Sequence, residues 1–239
     1  MEQKKLTRLA LVLTVLCLHS CAKPVFRSKW IGERAPETFV TRFETSKGSF
    51  DLLITRSSSP HAVDRYYQLV KHHFYDNGIF YRVVPGFVAQ FGISDTVKIA
   101  HWQKYKVPDE AVLKSNGKGT LSFATDGKET RSTELFINLR NNTRLDTANM
   151  KGVIGFPTFG SVTRGMAVVD SLYAGYGNSV FDKLDTMYTN RPRFLAIFPK
   201  LDLIQRVYII VLPTTPASSR PPSRDNSGCP STHSGDKGT

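Results

Sequence analysis

Hydrophobic and polar residues alternate in two short runs, 39–45 and 49–55, and the Gly-containing turn Ser46-Lys47-Gly48 separates them. A period of two places successive side chains on opposite faces of a strand, so this pattern predicts a β-hairpin. Further β-rich runs, bounded by turn residues, follow at 79–84, 87–91, 119–124, 135–139, 159–163 and 203–211. The pattern therefore predicts a mainly β protein.

Two segments follow the period of a helix instead. Apolar residues recur at spacings of three and four after Ser59-Pro60, which predicts a helix over 60–72 with Ser59 as its N-cap. A second helix is predicted near 166–174, and the unpatterned stretch around 188–192 is interpreted as a surface loop. Many short strands with two helices predict a closed antiparallel β-barrel capped by two α-helices, because closure removes exposed strand edges.

The N-terminus has the order of an export signal. Basic residues precede an apolar run, Leu9 to Leu18, which is shorter than the about 20 residues that span a bilayer. The sequence Leu18-His19-Ser20-Cys21 then resembles a bacterial lipobox, which implies a signal peptide at 1–20 and lipidation of Cys21. The alternative is an ordinary secretory signal with a Cys there by chance. With the lipobox, the protein is expected in the bacterial cell envelope, facing the periplasm from the outer membrane if the source has one.

The rest of the chain divides by composition. Residues 21–36 have no periodicity and contain two Pro residues, so they are interpreted as a tether. Residues 37–212 form the expected folded domain. Residues 213–239 are rich in Ser, Pro, Thr and Gly and are expected to be disordered.

Composition narrows the possible partners. The chain has 239 residues, 40% of them hydrophobic, which is enough for one buried core. The net charge of +12 comes from scattered Lys and Arg, so we expect a basic surface near anionic headgroups but no specific nucleic-acid binding. The three Cys residues, 17, 21 and 229, lie outside the expected domain, and the His residues lack metal-ligand spacing. We therefore expect no metal site, and we expect no cofactor. The expected oligomeric state is a monomer.

One segment, 80–92, combines two β-prone runs that meet at Pro85-Gly86. Alternation places Arg82 on the face opposite Tyr81, and an Arg and a Gln beside aromatic residues predict a half-polar groove suited to a peptide.

Over residues 37–212 the chain resembles the cyclophilin family of peptidyl-prolyl isomerases, with matches in the same order along the sequence. The matching positions are Phe80, Arg82, Pro85, Phe87, Gln90 and Gly92, then 119–124, 134–138, 145–146, 159–162, 165–170 and 198–202. The resemblance implies an eight-stranded barrel capped by two helices. It also implies a groove for proline-containing polypeptides, in which X-Pro bonds isomerise without a cofactor.

The resemblance also implies the roles of individual residues. Arg82 would be the catalytic residue, and Gln90 would hold it or the substrate backbone. The implied substrate-binding residues are Phe87, Val88, Gln90, Ala124, Thr125, Glu134, Phe136, Leu145 and Phe156.

Three positions depart from the family pattern. Glu134 replaces the usual Gln, and a carboxylate there could pair with Arg82, either positioning it or diverting it from substrate. Phe156 stands where a His is common, and Arg144 stands where Trp favours cyclosporin, so weak affinity for that drug is expected. The main hypothesis is a lipid-anchored isomerase that assists the folding of exported proteins. The alternatives are a catalytically weak proline-peptide binding module and a soluble cytoplasmic isomerase.

Overall fold

The computed structural model describes residues 25–94 and 96–210. The predicted signal peptide at 1–20, the lipidation site Cys21 and the predicted tail at 213–239 lie outside these residues. Within the two described ranges, no helix is both long enough and apolar enough to cross a membrane.

The described residues form mainly antiparallel β-structure. The strands are β1 Thr38–Thr45, β2 Gly48–Thr55, β3 Gly78–Ile79, β4 Arg82–Val83, β5 Val88–Phe91, β6 Thr120–Phe123, β7 Leu135–Asn138, β8 Asn149–Met150, β9 Val153–Ile154, β10 Thr158–Arg164 and β11 Leu203–Ile210. Nine strands form one sheet in the order β3-β11-β1-β2-β10-β6-β7-β5-β4, and β8 pairs with β9 separately. The predicted hairpin of β1 and β2 is confirmed, with Thr38 opposite Thr55 and Thr45 opposite Gly48.

β3 and β4 are the two outermost strands of the sheet, yet only Phe80 and Tyr81 separate them along the chain. The sheet therefore curls, so that its two edges lie close together. The predicted closed barrel of eight strands is not confirmed: the described sheet has nine strands, and no ladder joins β3 to β4. The ladder is interrupted between β3 and β4 because three consecutive side chains, Ile79, Phe80 and Tyr81, are all fully buried. Strand alternation is lost there, and the chain turns from pairing with β11 to pairing with β5.

Five α-helices lie beside the sheet in the described part of the chain. They are α1 Pro60–Lys71, α2 Thr96–Trp102, α3 Met166–Asp170, α4 Leu184–Thr189 and α5 Arg191–Ile197. The helices predicted at 60–72 and near 166–174 correspond to α1 and α3. The surface loop predicted around 188–192 is wrong, because α4 and α5 occupy it. Phe194 of α5 is fully buried, and the side chain of Asn190 caps α5 by accepting from the Arg193 amide at 3.0 Å.

The start of α1 differs from the expectation in its capping group. Ser59 occupies the N-cap position, but its side chain accepts no amide of the helix. Glu110 supplies the carboxylate instead, accepting from the amides of His61 and Ala62 at 2.8 and 3.2 Å and from the Ser59 hydroxyl. A carboxylate at this end also interacts favourably with the helix dipole.

The predicted tether over 21–36 needs correction in its described part. Residues Ser28–Gly32 form a short 3-10 helix. The Trp30 ring stacks on His72 at 3.8 Å, and the Phe26 ring meets Trp102 edge-on at 5.1 Å. Aromatic residues gain free energy by leaving water, so this segment packs on α1 and α2.

The apolar residues separate into two clusters. The larger fills the concave side of the sheet and includes Phe91 and Ala89 of β5. The smaller consists of Val88, Phe136, Leu145 and Phe156. Because side chains alternate along β5, Val88 and Gln90 face away from the main core. The outer face of β5 and β7 therefore carries an apolar surface of its own.

Candidate active site

A cavity of about 280 Å³ lies on this outer face. Its lining residues are Arg82, Phe87, Val88, Gln90, Ala124, Thr125, Phe136, Leu145, Met150, Phe156 and Phe181. Pockets that bind small ligands are mostly apolar with a few placed polar groups, and this lining has that character.

Strand register brings distant positions of the sequence together here. Arg82 on β4 lies directly opposite Gln90 on β5, and Gln90 lies opposite Phe136 on β7. Directly paired residues on one face of a sheet have Cβ atoms about 5 Å apart. The cation, the amide and the aromatic ring therefore form one row across three strands.

The floor of the cavity is the smaller apolar cluster. Phe136 and Phe156 meet edge-to-face at 5.6 Å, and Leu145 and Val88 complete the buried set. Leu145 belongs to a 3-10 helix, Thr143–Asp146, and its carbonyl accepts the Phe156 amide at 3.0 Å. These contacts fix the two loops that carry Leu145 and Phe156 against the sheet.

The Arg82 guanidinium is held on several sides. Its Nε donates to Asn178 Oδ1 at 2.8 Å, and its Nη1 donates to Gln90 Oε1 at 3.0 Å. The Phe87 and Phe181 rings lie 5.5 and 5.2 Å from its central carbon, within the range of cation–π contact. Burial lowers the pKa of Arg82 from its ordinary value, yet a guanidinium stays protonated in proteins. The site thus contains a fixed positive charge with donors left for a ligand.

Glu134 lies on the side of Gln90 away from Arg82. Its Oε2 accepts from the Tyr81 hydroxyl at 2.6 Å and from Gln90 Nε2 at 3.3 Å. The direct Glu134–Arg82 pair considered from the sequence does not form, since Gln90 stands between the two groups. Burial raises the pKa of Glu134, although hydrogen bonds from Tyr81 and Gln90 act in the opposite direction.

The structure brings together nearly all the residues implied by the sequence. Arg82 and every predicted substrate-binding residue except Glu134 line the cavity of about 280 Å³. Glu134 lines an adjoining polar cavity of about 200 Å³, which shares Gln90, Ala124 and Thr125 with the first. Arg144 stacks on the Phe87 ring at 4.8 Å.

Sequence reasoning missed Asn178, Phe181 and Met150. Asn178 and Phe181 belong to the segment between α3 and α4, and Phe181 lies in the 3-10 helix Ser179–Lys183. Nothing in the local pattern of this segment indicates contact with Arg82. In the structure Phe181 is an aromatic side chain that is 47% exposed, a property that the sequence alone does not give.

Comparison with known proteins points to one family. A family model described as cyclophilin type peptidyl-prolyl cis-trans isomerase/CLD matches residues 40–189. Peptidyl-prolyl cis-trans isomerase A of Dickeya dadantii is 32% identical over 170 residues, covering 69% of this chain and 82% of that protein. A peptidyl-prolyl cis-trans isomerase of Acinetobacter baylyi is 29% identical over 147 residues, covering 59% and 76%.

Solved structures agree on the fold. A cyclophilin type peptidyl-prolyl cis-trans isomerase of Cryptosporidium parvum has a TM-score of 0.53 and 18% identity, covering 74% of this chain and 99% of that one. A second structure of that protein, in the presence of the dipeptide Ala-Pro, also has a TM-score of 0.53, at 17% identity, covering 72% and 99%.

Proposed function

The chain belongs to the cyclophilin-type peptidyl-prolyl cis-trans isomerases, and on that premise we propose that Arg82 drives the rotation by donating a hydrogen bond to the proline nitrogen of the twisted amide. The observation that carries this mechanism is the position of the guanidinium, which Asn178 and Gln90 fix beside an apolar cavity.

The reaction needs no covalent step. It requires only that the lone pair that appears on the proline nitrogen of the twisted amide is stabilised. Amide resonance gives the bond a rotation barrier of about 18–20 kcal/mol, so uncatalysed X-Pro isomerisation takes about tens to hundreds of seconds. In the twisted state the nitrogen regains a lone pair, which accepts a hydrogen bond that the planar ground state accepts poorly. A fixed donor therefore stabilises the transition state selectively. An acceleration of about 10⁵ requires about 7 kcal/mol of such stabilisation.

The apolar floor supplies the binding energy. Phe136, Phe156 and Leu145 are only 5–8% exposed and form a preformed apolar floor that a proline ring can cover. Docking therefore removes mainly the apolar surface of the ring itself from water. The related protein crystallised with Ala-Pro supports proline-containing polypeptides as the substrates. In this mechanism, the backbone around Ala124 and Thr125 pairs with the residue before the proline.

A catalytically weak proline-binding module is the second candidate, because Glu134 replaces the family's usual Gln beside Gln90. NMR exchange spectroscopy on an Ala-Pro peptide, with catalytic amounts of the full chain, separates the two. We expect cis–trans exchange peaks, which require turnover on the exchange timescale. Peptide shifts without accelerated exchange would instead establish the binding module.

The site of action is proposed from the N-terminal sequence. An export signal ending at the lipobox-like Cys21 favours a lipid-anchored protein in the cell envelope that acts on exported polypeptides. We expect Cys21→Ser to lose label from a radioactive fatty acid, since it removes the acylated thiol. Cys17→Ser, four residues earlier, is the matched control and keeps the label. Undiminished labelling of Cys21→Ser would exclude the lipoprotein assignment.

A further inference from the structure

The Gln90 amide connects two groups of opposite hydrogen-bonding character. Its Oε1 accepts from Arg82 Nη1 at 3.0 Å, and its Nε2 donates to Glu134 Oε2 at 3.3 Å. An arginine only donates, and an ionised carboxylate only accepts. The two neighbours therefore select one of the two amide orientations, the one in which the carbonyl oxygen faces the guanidinium.

We propose that Glu134 is a positioning residue: as a carboxylate it holds Gln90 with its carbonyl oxygen toward Arg82, and protonation of Glu134 releases that hold. The inference rests on the proposed function, in which the fixed Arg82 donor stabilises the twisted amide. It assigns a purpose to the replacement of Gln by Glu at this position.

The groups around Glu134 stabilise its ionised form, so its protonation would change the hydrogen bonds around it. Its Oε2 also accepts from the fully buried Tyr81 hydroxyl at 2.6 Å, so one oxygen receives both donors. From α4, Tyr188 hydrogen-bonds to the same side chain, and Lys106, after α2, contributes a favourable charge. The nearby carboxylate Asp126, in the adjoining cavity, pairs with Lys151 at 2.8 Å.

Protonation changes what the carboxyl group can do. Burial raises the pKa of Glu134 above its ordinary value of 4.5, so protonation begins closer to neutral pH than for an exposed Glu. A protonated Glu134 can donate to Gln90 Oε1 and so compete with Arg82 for that oxygen. In the turned orientation the Gln90 NH₂ would face the guanidinium, donor against donor. Arg82 would keep its bond to Asn178 and lose the one to Gln90.

The sign of the pH dependence follows directly. Glu134 is ionised above its raised pKa, where Arg82 is fixed, and it becomes neutral as pH falls through that pKa. Turnover should therefore decrease on the acid side. We expect kcat/KM of the full chain to fall as pH is lowered from about 8 through the raised pKa of Glu134, mainly through kcat. The fall should approach about tenfold once Glu134 is fully protonated, the loss expected for one hydrogen bond to a charged group.

The matched variants separate positioning from packing. Glu134→Gln cannot titrate and, like the protonated carboxyl, has both a donor and an acceptor. Its kcat/KM should therefore stay constant with pH and lie near the acid limit of the native chain. Glu134→Leu removes the acceptor, and its kcat should be low at every pH. Asp126→Asn, in the same adjoining cavity, should retain the acid-side decrease. An unchanged decrease in Glu134→Gln, or a kcat of Glu134→Gln equal to that of the native chain at about pH 8, would overturn the inference.

A second readout does not depend on turnover. In ¹H–¹⁵N spectra, the Gln90 side-chain amide should shift with pH in the native chain and stay constant in Glu134→Gln. A Gln90 amide that does not titrate in the native chain contradicts the positioning role. Absence of turnover at every pH, with Gln90 still titrating, would overturn the isomerase mechanism and leave the hydrogen-bond role standing.

Discussion

Replacing Arg82 with Ala should lower kcat/KM for X-Pro isomerisation by about 10²–10³-fold, the loss typical for removing one preorganised transition-state donor. The guanidinium is held by Asn178 and Gln90 at 2.8 and 3.0 Å, so its orientation is fixed before substrate binds. The variant deletes this donor and leaves the apolar floor in place. The loss should therefore appear in kcat, with peptide affinity changed much less.

NMR exchange at several peptide concentrations measures both quantities, and two variants serve as controls. Arg82→Lys keeps the charge but loses the planar fork that reaches Asn178 and Gln90 together, so it should recover little of the activity. Arg144→Ala removes an equal charge beside the same Phe87 ring and should alter kcat/KM only a few-fold. Equal losses for Arg82→Ala and Arg144→Ala would mean that net charge, and not the directed donor, assists the reaction.

Local pattern was sufficient for the parts of the fold that depend on nearest neighbours. The hairpin of β1 and β2 follows from alternation around one turn, and α1 follows from apolar spacing after Ser59-Pro60. The capping group of α1 could not be predicted in this way. Glu110 reaches the helix from a loop far along the chain, and local sequence contains no information about such contacts.

Long-range contacts also explain why the predictions of the loop, the tether and the closed barrel differ from the structure. The helices α4 and α5 form because Phe194 and Met187 find buried positions against the domain, which an unpatterned sequence does not reveal. Trp30 packs on His72 for a similar reason. The loss of alternation at Phe80 and Tyr81 leaves the sheet's ladder open, because both side chains take buried positions.

The residues that line the cavity could be predicted from the sequence, but the residues that hold them in place could not. The cavity residues came from ordered motif matches, and strand register then aligns Arg82, Gln90 and Phe136. Asn178 and Phe181 hold the guanidinium from outside those motifs. Glu134 acts on Arg82 only through Gln90, a relation that depends on which atom of an amide faces which neighbour. Spacing along a sequence cannot specify that orientation.

Gly92 connects the stability of the sheet to this network. It follows β5 with φ at +109°, and a Cβ there would lie 2.3 Å from the Thr133 carbonyl oxygen and 2.8 Å from Glu134 Cα. Gly92→Ala should therefore lower the free energy of unfolding by about 2–4 kcal/mol, combining left-handed backbone strain with overpacking against rigid backbone. Urea unfolding measures this loss as a lower midpoint at unchanged slope.

Gly152→Ala isolates the backbone contribution. Gly152 also has a positive φ, +94°, but a Cβ there would meet nothing within 4 Å, so its cost should be only about 1 kcal/mol. The difference between the two variants then measures the close approach of Gly92 to the chain at Thr133 and Glu134. Relief of that contact must shift the chain at Gly92 relative to the backbone at Thr133 and Glu134, so we expect the folded Gly92→Ala protein also to turn over more slowly than Gly152→Ala. Equal unfolding free energies for the two variants would show that the backbone at Thr133 yields freely, and that Gly92 does not hold Glu134 in place.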